Sequence, residues 1–192
     1  MKKIVEIRWH GRGGQGAKTA ALLFGEAAMS LGKFIQAFPE YGPERMGAPV
    51  ASFNRISDEP ISIHFAVSNP DIVLVLDSSL LGSIDTTDGL SQNGILIVNT
   101  YEEPSALRSR IMLKGRRLYT VDASKISKET IGRDIPNTPM LGALVKTSDL
   151  LNFDLVIKDF RKKLQKKFAE KPEIVEGNLT AIKRAYSEVK GE

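Results

Sequence analysis

The strand, glycine turn and helix near the start of the chain constrain its fold more than any other stretch. An apolar run at residues 4–9 leads into the segment WHGRGGQGAKT, and residues 17–31 have the pattern of a small-residue helix. Gly11, Gly13 and Gly16 match G-x-G-x-x-G, in which a tight turn brings backbone N–H groups to a phosphate at a helix N-terminus. A strand before the turn and a helix after it are the context that this pattern requires. The stretch therefore predicts an α/β fold that binds a phosphate-bearing ligand.

The rest of the chain alternates between strand and helix patterns. Residues 50–56 and 61–65 alternate apolar and polar side chains on either side of a Ser-Asp-Glu-Pro segment, which predicts a β-hairpin. We expect one domain, residues 1–192, with a three-layer α/β/α fold and a mixed, mostly parallel sheet that carries this inserted hairpin. Further strands are predicted at 34–38, 71–76, 95–98 and 118–121, an extended break at 135–139, and helices at 104–113, 124–131, 140–146, 154–168 and 172–189.

Several polar residues stand within or directly after the predicted strands. Asp77, Asn99 and Asp122 each follow a buried strand. Such residues commonly accept hydrogen bonds from the first N–H groups of the next helix, so we expect them to be helix caps. Glu6 and Arg8 alternate with apolar residues in the first strand, which predicts that one face of that strand is less buried.

Composition excludes several classes of function. The chain has no cysteine and two histidines, so it offers no thiolate for an iron–sulfur cluster and no recognisable zinc or catalytic site. The net charge of +4 suits an anionic ligand but is too small to indicate nucleic acid. No apolar run approaches the roughly 18 residues of a membrane-spanning helix. We expect a cytoplasmic protein with no metal, no catalytic residue, and neither nucleic acid nor membrane as a partner.

The glycine turn leaves three ligands open. A dinucleotide needs an acidic residue at the end of the second strand, and Glu40 lies near that point, although a proline-rich loop crowds it. A P-loop nucleotide needs a lysine directly after Gly16, whereas Lys18 comes one residue later and is rotated by about 100° around the helix. The third ligand is another phosphate compound such as coenzyme A, held by the turn and by the side chains of Arg12, Lys18 and Thr19.

Five segments of the chain occur in an order and at a spacing that are familiar. They are GRGGQG (11–16), YGPERMGAP (41–49), PDIVLVLDSSL (70–80), GILIVNT (94–100) and NTPMLGA (137–143). In these segments the chain resembles the gamma subunits of pyruvate:ferredoxin oxidoreductases (pyruvate synthases), in the 2-oxoacid:ferredoxin oxidoreductase family. The resemblance extends from the first strand to about Val145, and the segment at 41–49 looks more like the pyruvate-specific branch than the other branches.

The resemblance implies a subunit of an enzyme complex that is inactive alone. The family's enzymes convert pyruvate, coenzyme A and oxidised ferredoxin to acetyl-CoA, CO₂ and reduced ferredoxin, or run the reverse reaction. The resemblance also implies thiamine diphosphate and [4Fe-4S] clusters on partner alpha, beta and delta subunits, with coenzyme A bound by this gamma chain. The alternative is a free-standing NAD(P)- or nucleotide-binding Rossmann-type enzyme.

When the family's contact residues are carried over by position, the resemblance implies coenzyme A contacts on three segments. The first is the glycine turn with the start of its helix. The second segment of the resemblance and Asn137 are expected near the ligand or at a subunit interface. The expected site residues are Gly11, Arg12, Gly13, Gly14, Gln15, Gly16, Lys18, Thr19, Tyr41, Glu44, Arg45 and Asn137.

Overall fold

A computed structural model of the chain describes residues 4–40 and 47–192. The strands within these ranges are β1 (Ile4–Arg12), β2 (Phe34–Pro39), β3 (Pro49–Ser57), β4 (Ile72–Val75), β5 (Ile95–Asn99), β6 (Arg117–Val121) and β7 (Lys190–Gly191). The helices there are α1 (Ala17–Ser30), α2 (Pro104–Arg110), α3 (Ala123–Ile131), α4 (Asn137–Ser148), α5 (Phe153–Lys167) and α6 (Pro172–Glu188), with a 3₁₀ helix at Ser78–Gly82.

The described strands form one mixed sheet, which confirms the predicted α/β fold. The seven strands lie in the order β2-β3-β1-β4-β5-β6-β7. The pairs β1–β4, β4–β5 and β5–β6 are parallel, and β3 and β7 run against the other five strands. After β1 the chain builds one side of the sheet, and from β4 onward it builds the other. The crevice where open α/β sheets bind ligands therefore lies at the carboxyl ends of β1 and β4.

The predicted hairpin between residues 50–56 and 61–65 is wrong: the first of these segments lies in β3, and β2, not residues 61–65, is the antiparallel strand at its outer edge. Both edges of β3 are occupied, because β1 pairs along one edge and β2 along the other. Residues 61–65 instead lie against a face of the sheet. There, the side chain of Gln36 donates to the carbonyl of Ile63 at 2.9 Å, and that of Arg55 donates to the carbonyl of Phe65 at 2.5 Å.

Apolar clusters on both faces of the sheet produce the three layers. Helices α1, α3, α4, α5 and α6 cover one face, where Trp9 and Ile97 of the strands pack in the same cluster as Phe24 of α1. On the other face, Val75 of β4 packs in a smaller cluster with Leu107 of α2. Within the described ranges, no helix is long and apolar enough to cross a membrane.

Two local expectations are corrected. Helix α4 begins at Asn137, where a break was expected, because Pro139 falls in its first turn. A proline there loses no bond, since the first N–H groups of a helix have no intrahelical acceptor. The Arg8 face of β1 is not less buried: Arg8 is only 7% exposed. Its guanidinium donates to the carbonyls of Thr86 and Asp88 at 3.1 and 2.5 Å.

Candidate ligand site at the glycine turn

The glycine turn leaves the first turn of α1 without a cap. Gly14 and Gly16 have φ angles of 99° and 83°, left-handed values that glycine adopts without strain. Gly16 is the N-cap residue of α1 and provides no side-chain hydrogen bond. The N–H groups of Ala17, Lys18 and Thr19 therefore have no intrahelical acceptor. The helix dipole adds partial positive charge at the same point, so this helix end favours an anion.

A cavity of about 490 Å³ opens beside this helix end. Its walls are the turn, the start of α1, the end of β2 and the start of β3. The volume is in the range of small-molecule sites. The predicted site residues that line it are Arg12, Gly13, Gly14, Gly16, Lys18 and Thr19.

Arg12 and Gln15 hold the shape of the turn through their side chains. The Gln15 carboxamide accepts from the Arg12 backbone N–H at 2.8 Å and donates to Asp77 at 2.7 Å. The Arg12 guanidinium donates to the Gly47 carbonyl at 3.0 Å and to the Ser79 hydroxyl at 2.9 Å, and it lies 3.2 Å from Asp77 Oδ2. Burial works to raise the pKa of Asp77, but hydrogen bonds from Ser79 and Gln15 and the charge of Arg12 outweigh it and lower that pKa.

Two of the glycines also serve the structure of the turn. The N–H of Gly13 donates to the Ala48 carbonyl at 2.9 Å, and the carbonyl of Gly13 accepts from Gly47 at 3.2 Å. A Cβ at Gly11 would lie 3.2 Å from the Cβ of Ala17, so Gly11 permits close packing of strand and helix. The N–H of Gly13 is therefore not available to a ligand.

Asn137 contacts the turn from the start of α4. A Cβ at Gly16 would lie 2.7 Å from Nδ2 of Asn137. Asn137 lines an adjoining cavity and does not line the one at the turn. The remaining predicted residues, Tyr41, Glu44 and Arg45, lie outside the described residues.

The polar residues that follow the strands meet in a separate cavity of about 360 Å³, here called the polar crevice. Asp77 and Asp122 each accept a hydrogen bond at 2.9 Å from the first turn of the following helix, as predicted. Asn99 does not cap α2, the helix that follows it, and instead accepts a hydrogen bond from the first turn of α3. Its Nδ2 donates to the Leu76 carbonyl at 2.8 Å, and its Oδ1 accepts from the Ser124 N–H at 3.1 Å. Asn99 thereby ties β5 to the end of β4 and to α3.

Two buried basic side chains, Arg8 and His10, precede the turn on β1, and their burial was not predicted from the sequence. Arg8 and His10 are 7% and 8% exposed. Burial, together with the nearby charge of Arg8, lowers the pKa of His10 to about 4, so His10 is neutral at pH 7. Within the part of the chain that the structure describes, Nε of Arg8 and Nε2 of His10 have no hydrogen-bond partner. Alternation along β1 was the available signal, and it does not distinguish a buried polar face from an exposed one.

Relatives of known identity match this chain along nearly its whole length. A family model described as pyruvate ferredoxin/flavodoxin oxidoreductase matches residues 6–188. The pyruvate synthase subunit PorC of Thermotoga maritima is 48% identical over 189 residues, which cover 98% of this chain and 96% of that protein. The pyruvate/ketoisovalerate oxidoreductases common subunit gamma of Pyrococcus furiosus is 42% identical over 183 residues, which cover 95% of this chain and 96% of that protein.

Solved structures share the fold. The crystal structure of pyruvate oxidoreductase subunit PORC (EC 1.2.7.1) from Thermotoga maritima has a TM-score of 0.86 at 45% identity, and the match covers 100% of this chain and 99% of that one. A 2-oxoglutarate:ferredoxin oxidoreductase from Magnetococcus marinus, with 2-oxoglutarate, coenzyme A and succinyl-CoA bound, has a TM-score of 0.76 at 19% identity. That match covers 97% of this chain and 31% of the other, and it shows likeness of fold alone.

Proposed function

The chain belongs to the pyruvate ferredoxin/flavodoxin oxidoreductase family, and from that premise we propose that it binds coenzyme A within a pyruvate synthase complex. The complex converts pyruvate, coenzyme A and oxidised ferredoxin to acetyl-CoA, CO₂ and reduced ferredoxin, or runs the reverse. The relatives named as pyruvate synthase subunits support this reaction. In this proposal the chain positions coenzyme A and contributes no catalytic group.

The uncapped N-terminus of α1 beside its cavity is the observation that carries the proposal. The N–H groups of Ala17, Lys18 and Thr19, together with the exposed ammonium of Lys18, give this wall an excess of donors and positive charge. A diphosphate such as that of coenzyme A matches both properties. A chain of similar fold belongs to an enzyme that was solved with coenzyme A bound, and the proposal extends that ligand to the glycine turn of this chain.

A free-standing dinucleotide enzyme fits this geometry less well. In the dinucleotide fold, the second parallel strand lies beside the first, and the acid at its end binds the ribose. Here the antiparallel strand β3 separates β2 from β1, so Glu40 follows a strand about 10 Å from β1. A P-loop nucleotide is also disfavoured, because the N–H of Gly13 is bonded to Ala48 and is not free for a phosphate.

The other parts of the enzyme belong, in this proposal, to partner subunits. The relatives are named as subunits, and a chain without cysteine cannot provide the thiolates of an iron–sulfur cluster. We expect alpha, beta and delta subunits that hold thiamine diphosphate and [4Fe-4S] clusters and pass electrons to ferredoxin. We expect the assembled complex in the cytoplasm.

A charge change at Gly14 tests the coenzyme A site. Gly14 is exposed on the cavity wall, and no atom lies within 4 Å of the position of an added Cβ. In the assembled complex, Gly14→Asp should raise the KM for coenzyme A at least tenfold relative to Gly14→Asn, because a carboxylate beside the diphosphate repels it. The two side chains have the same shape and the same backbone strain, so their ratio isolates charge.

Two outcomes would contradict the proposal. Equal KM values for the Asp and Asn variants at position 14 would mean that no phosphate binds at the turn. Calorimetric titration of the isolated chain that shows binding of NADH and none of coenzyme A would favour the dinucleotide enzyme instead.

A further inference from the structure

A second cavity, of about 460 Å³, adjoins the glycine turn on the side of α1 that faces α4 and α5. Thr19 lines both this cavity and the one at the turn. Asn137, which contacts Gly16, also lines the second cavity. The two cavities are therefore neighbours at the first turn of α1, with Thr19 in the wall of both.

The wall that α5 contributes is apolar with a cationic rim, and we call this second cavity the lysine cleft. Leu164 and Phe168 lie on its wall, and Lys163 and Lys167, one helical turn apart, line it as well. Lys163 is committed to Asp159, whose Oδ2 lies 2.6 Å away. Lys167 lies 5.5 Å from the centre of the Phe168 ring. Among residues 4–40 and 47–192, no carboxylate lies within 4.0 Å of the Lys167 ammonium.

We propose that the lysine cleft binds the adenosine 3′-phosphate end of coenzyme A, with Lys167 contacting the 3′-phosphate. The inference rests on the proposed function, because it needs the diphosphate to be anchored at the glycine turn. Coenzyme A has one charged group besides its diphosphate, and that group is the 3′-phosphate on the ribose that carries adenine. A cleft with an aromatic and aliphatic wall and an unpaired ammonium is complementary to this end of the molecule.

The charges around the lysine cleft also fix the direction of the ligand. The pantetheine arm is uncharged and has no anionic group that could pair with the Lys167 ammonium. Glu26 lines the α1 side of the cleft, where its carboxylate would repel a phosphate, so the 3′-phosphate belongs on the α5 side. With adenosine in the cleft, the pantetheine arm leaves the turn through the other cavity. It can then carry the thiol to a catalytic centre on a partner subunit.

Dephospho-coenzyme A, which lacks only the 3′-phosphate, tests this assignment in the assembled complex. The wild-type complex should have a KM for coenzyme A several-fold below that for dephospho-coenzyme A. Lys167→Gln should raise the KM for coenzyme A about fivefold and leave the KM for dephospho-coenzyme A unchanged, since the ammonium has no partner in the smaller ligand. Lys162→Gln is the matched control, because Lys162 is exposed on the same helix outside the cleft.

The outcomes separate the two proposals. A preference for coenzyme A that survives Lys167→Gln would overturn the assignment of the cleft. If Gly14→Asp raises both KM values and Lys167→Gln changes neither, only the cleft assignment fails. If Gly14→Asp and Gly14→Asn have equal KM values for both ligands, the coenzyme A site at the turn fails, and the cleft assignment fails with it. Loss of the preference in Lys167→Gln alone would support both.

Discussion

The glycine-turn cavity and the polar crevice lie on either side of the Arg12–Asp77 ion pair, yet their polar groups are used differently. In the crevice, Asp77, Asn99 and Asp122 are hydrogen-bonded to neighbouring chain segments. At the glycine turn, the first N–H groups of α1 have neither an intrahelical acceptor nor a side-chain cap. The crevice has more polar side chains, but the turn has the unsatisfied donors. A cluster of polar residues that are already hydrogen-bonded within the chain is therefore a weaker sign of a ligand site than a group of N–H donors without acceptors.

This difference separates effects on stability from effects on binding. A polar network whose members are all partnered rigidifies the fold, and breaking it leaves buried groups without partners. N–H donors without a partner in the folded chain, such as those at the start of α1, can contribute to the affinity for a ligand and contribute little to the free energy of unfolding. Substitutions in the crevice should thus lower the free energy of unfolding, and substitutions on the open wall of the turn should raise the KM for coenzyme A.

Gly16→Val should have the largest effect on stability. Gly16 has a φ of 83°, and its added Cβ would lie 2.7 Å from Nδ2 of Asn137, so the variant suffers both backbone strain and a clash. We expect a loss of about 3 kcal/mol in the free energy of unfolding, measured with urea on the isolated chain. Gly14→Ala shares the positive φ and has open space around it, so its loss should be about 1 kcal/mol. Equal losses would show that Asn137 moves aside and that α4 does not constrain the turn.

Asn99→Ala should lower the free energy of unfolding by about 2 kcal/mol, because the Leu76 carbonyl and the Ser124 N–H lose a buried partner. Urea unfolding of the isolated chain measures this loss. In the assembled complex, the KM for coenzyme A should change by less than about twofold, a difference of less than half a kcal/mol. A tenfold rise in the KM for coenzyme A, without the loss of stability, would place the ligand in the polar crevice. The crevice would then be the binding region.

The regular elements of the fold were predictable because apolar periodicity encodes them directly. The strand, turn and helix around the glycines are confirmed as β1 and α1. The two partners of β3, β1 and β2, were not predictable, because alternation within a strand defines its two faces and not its neighbours. Residues 61–65 and β2 have similar patterns, and β2 occupies the edge. Strand β7 has two residues and no apolar pattern, so it gave no signal.

The position of the glycine turn between β1 and α1 was predictable from its motif, but the hydrogen-bond partner of each of its groups was not. Gly14, Gly16, Lys18 and Thr19 line the cavity, whereas Gly11 and Gln15 do not. The N–H of Gly13 is bonded to Ala48, a residue far along the chain, and the sequence does not reveal such pairings. The burial of Arg8 has the same origin, because its acceptors lie at Thr86 and Asp88. Features that need distant segments to meet were the ones that escaped sequence reasoning.

The ion pair between the two cavities should give the smallest effect, and it should depend on pH. Asp77→Asn should cost about 1 kcal/mol at pH 7, because the variant keeps one acceptor and loses the charge that faces Arg12. The pKa of Asp77 is lower in the folded chain than in the unfolded one. Its contribution is therefore complete above the unfolded pKa of about 4 and is lost as the pH falls through the folded pKa.

Urea unfolding of wild type and Asp77→Asn at pH 7, 5 and 3 measures this dependence. The difference between them should be the same at pH 7 and pH 5 and smaller at pH 3. Asp154→Asn, at an exposed position on α5, is the reference for a carboxylate outside the network. A difference for Asp77 that persists unchanged at pH 3 would show that shape, and not charge, is what the Asp77 side chain provides. The hydrogen bonds from Gln15 and Ser79 to the side chain at position 77, and not its charge, would then stabilise this region.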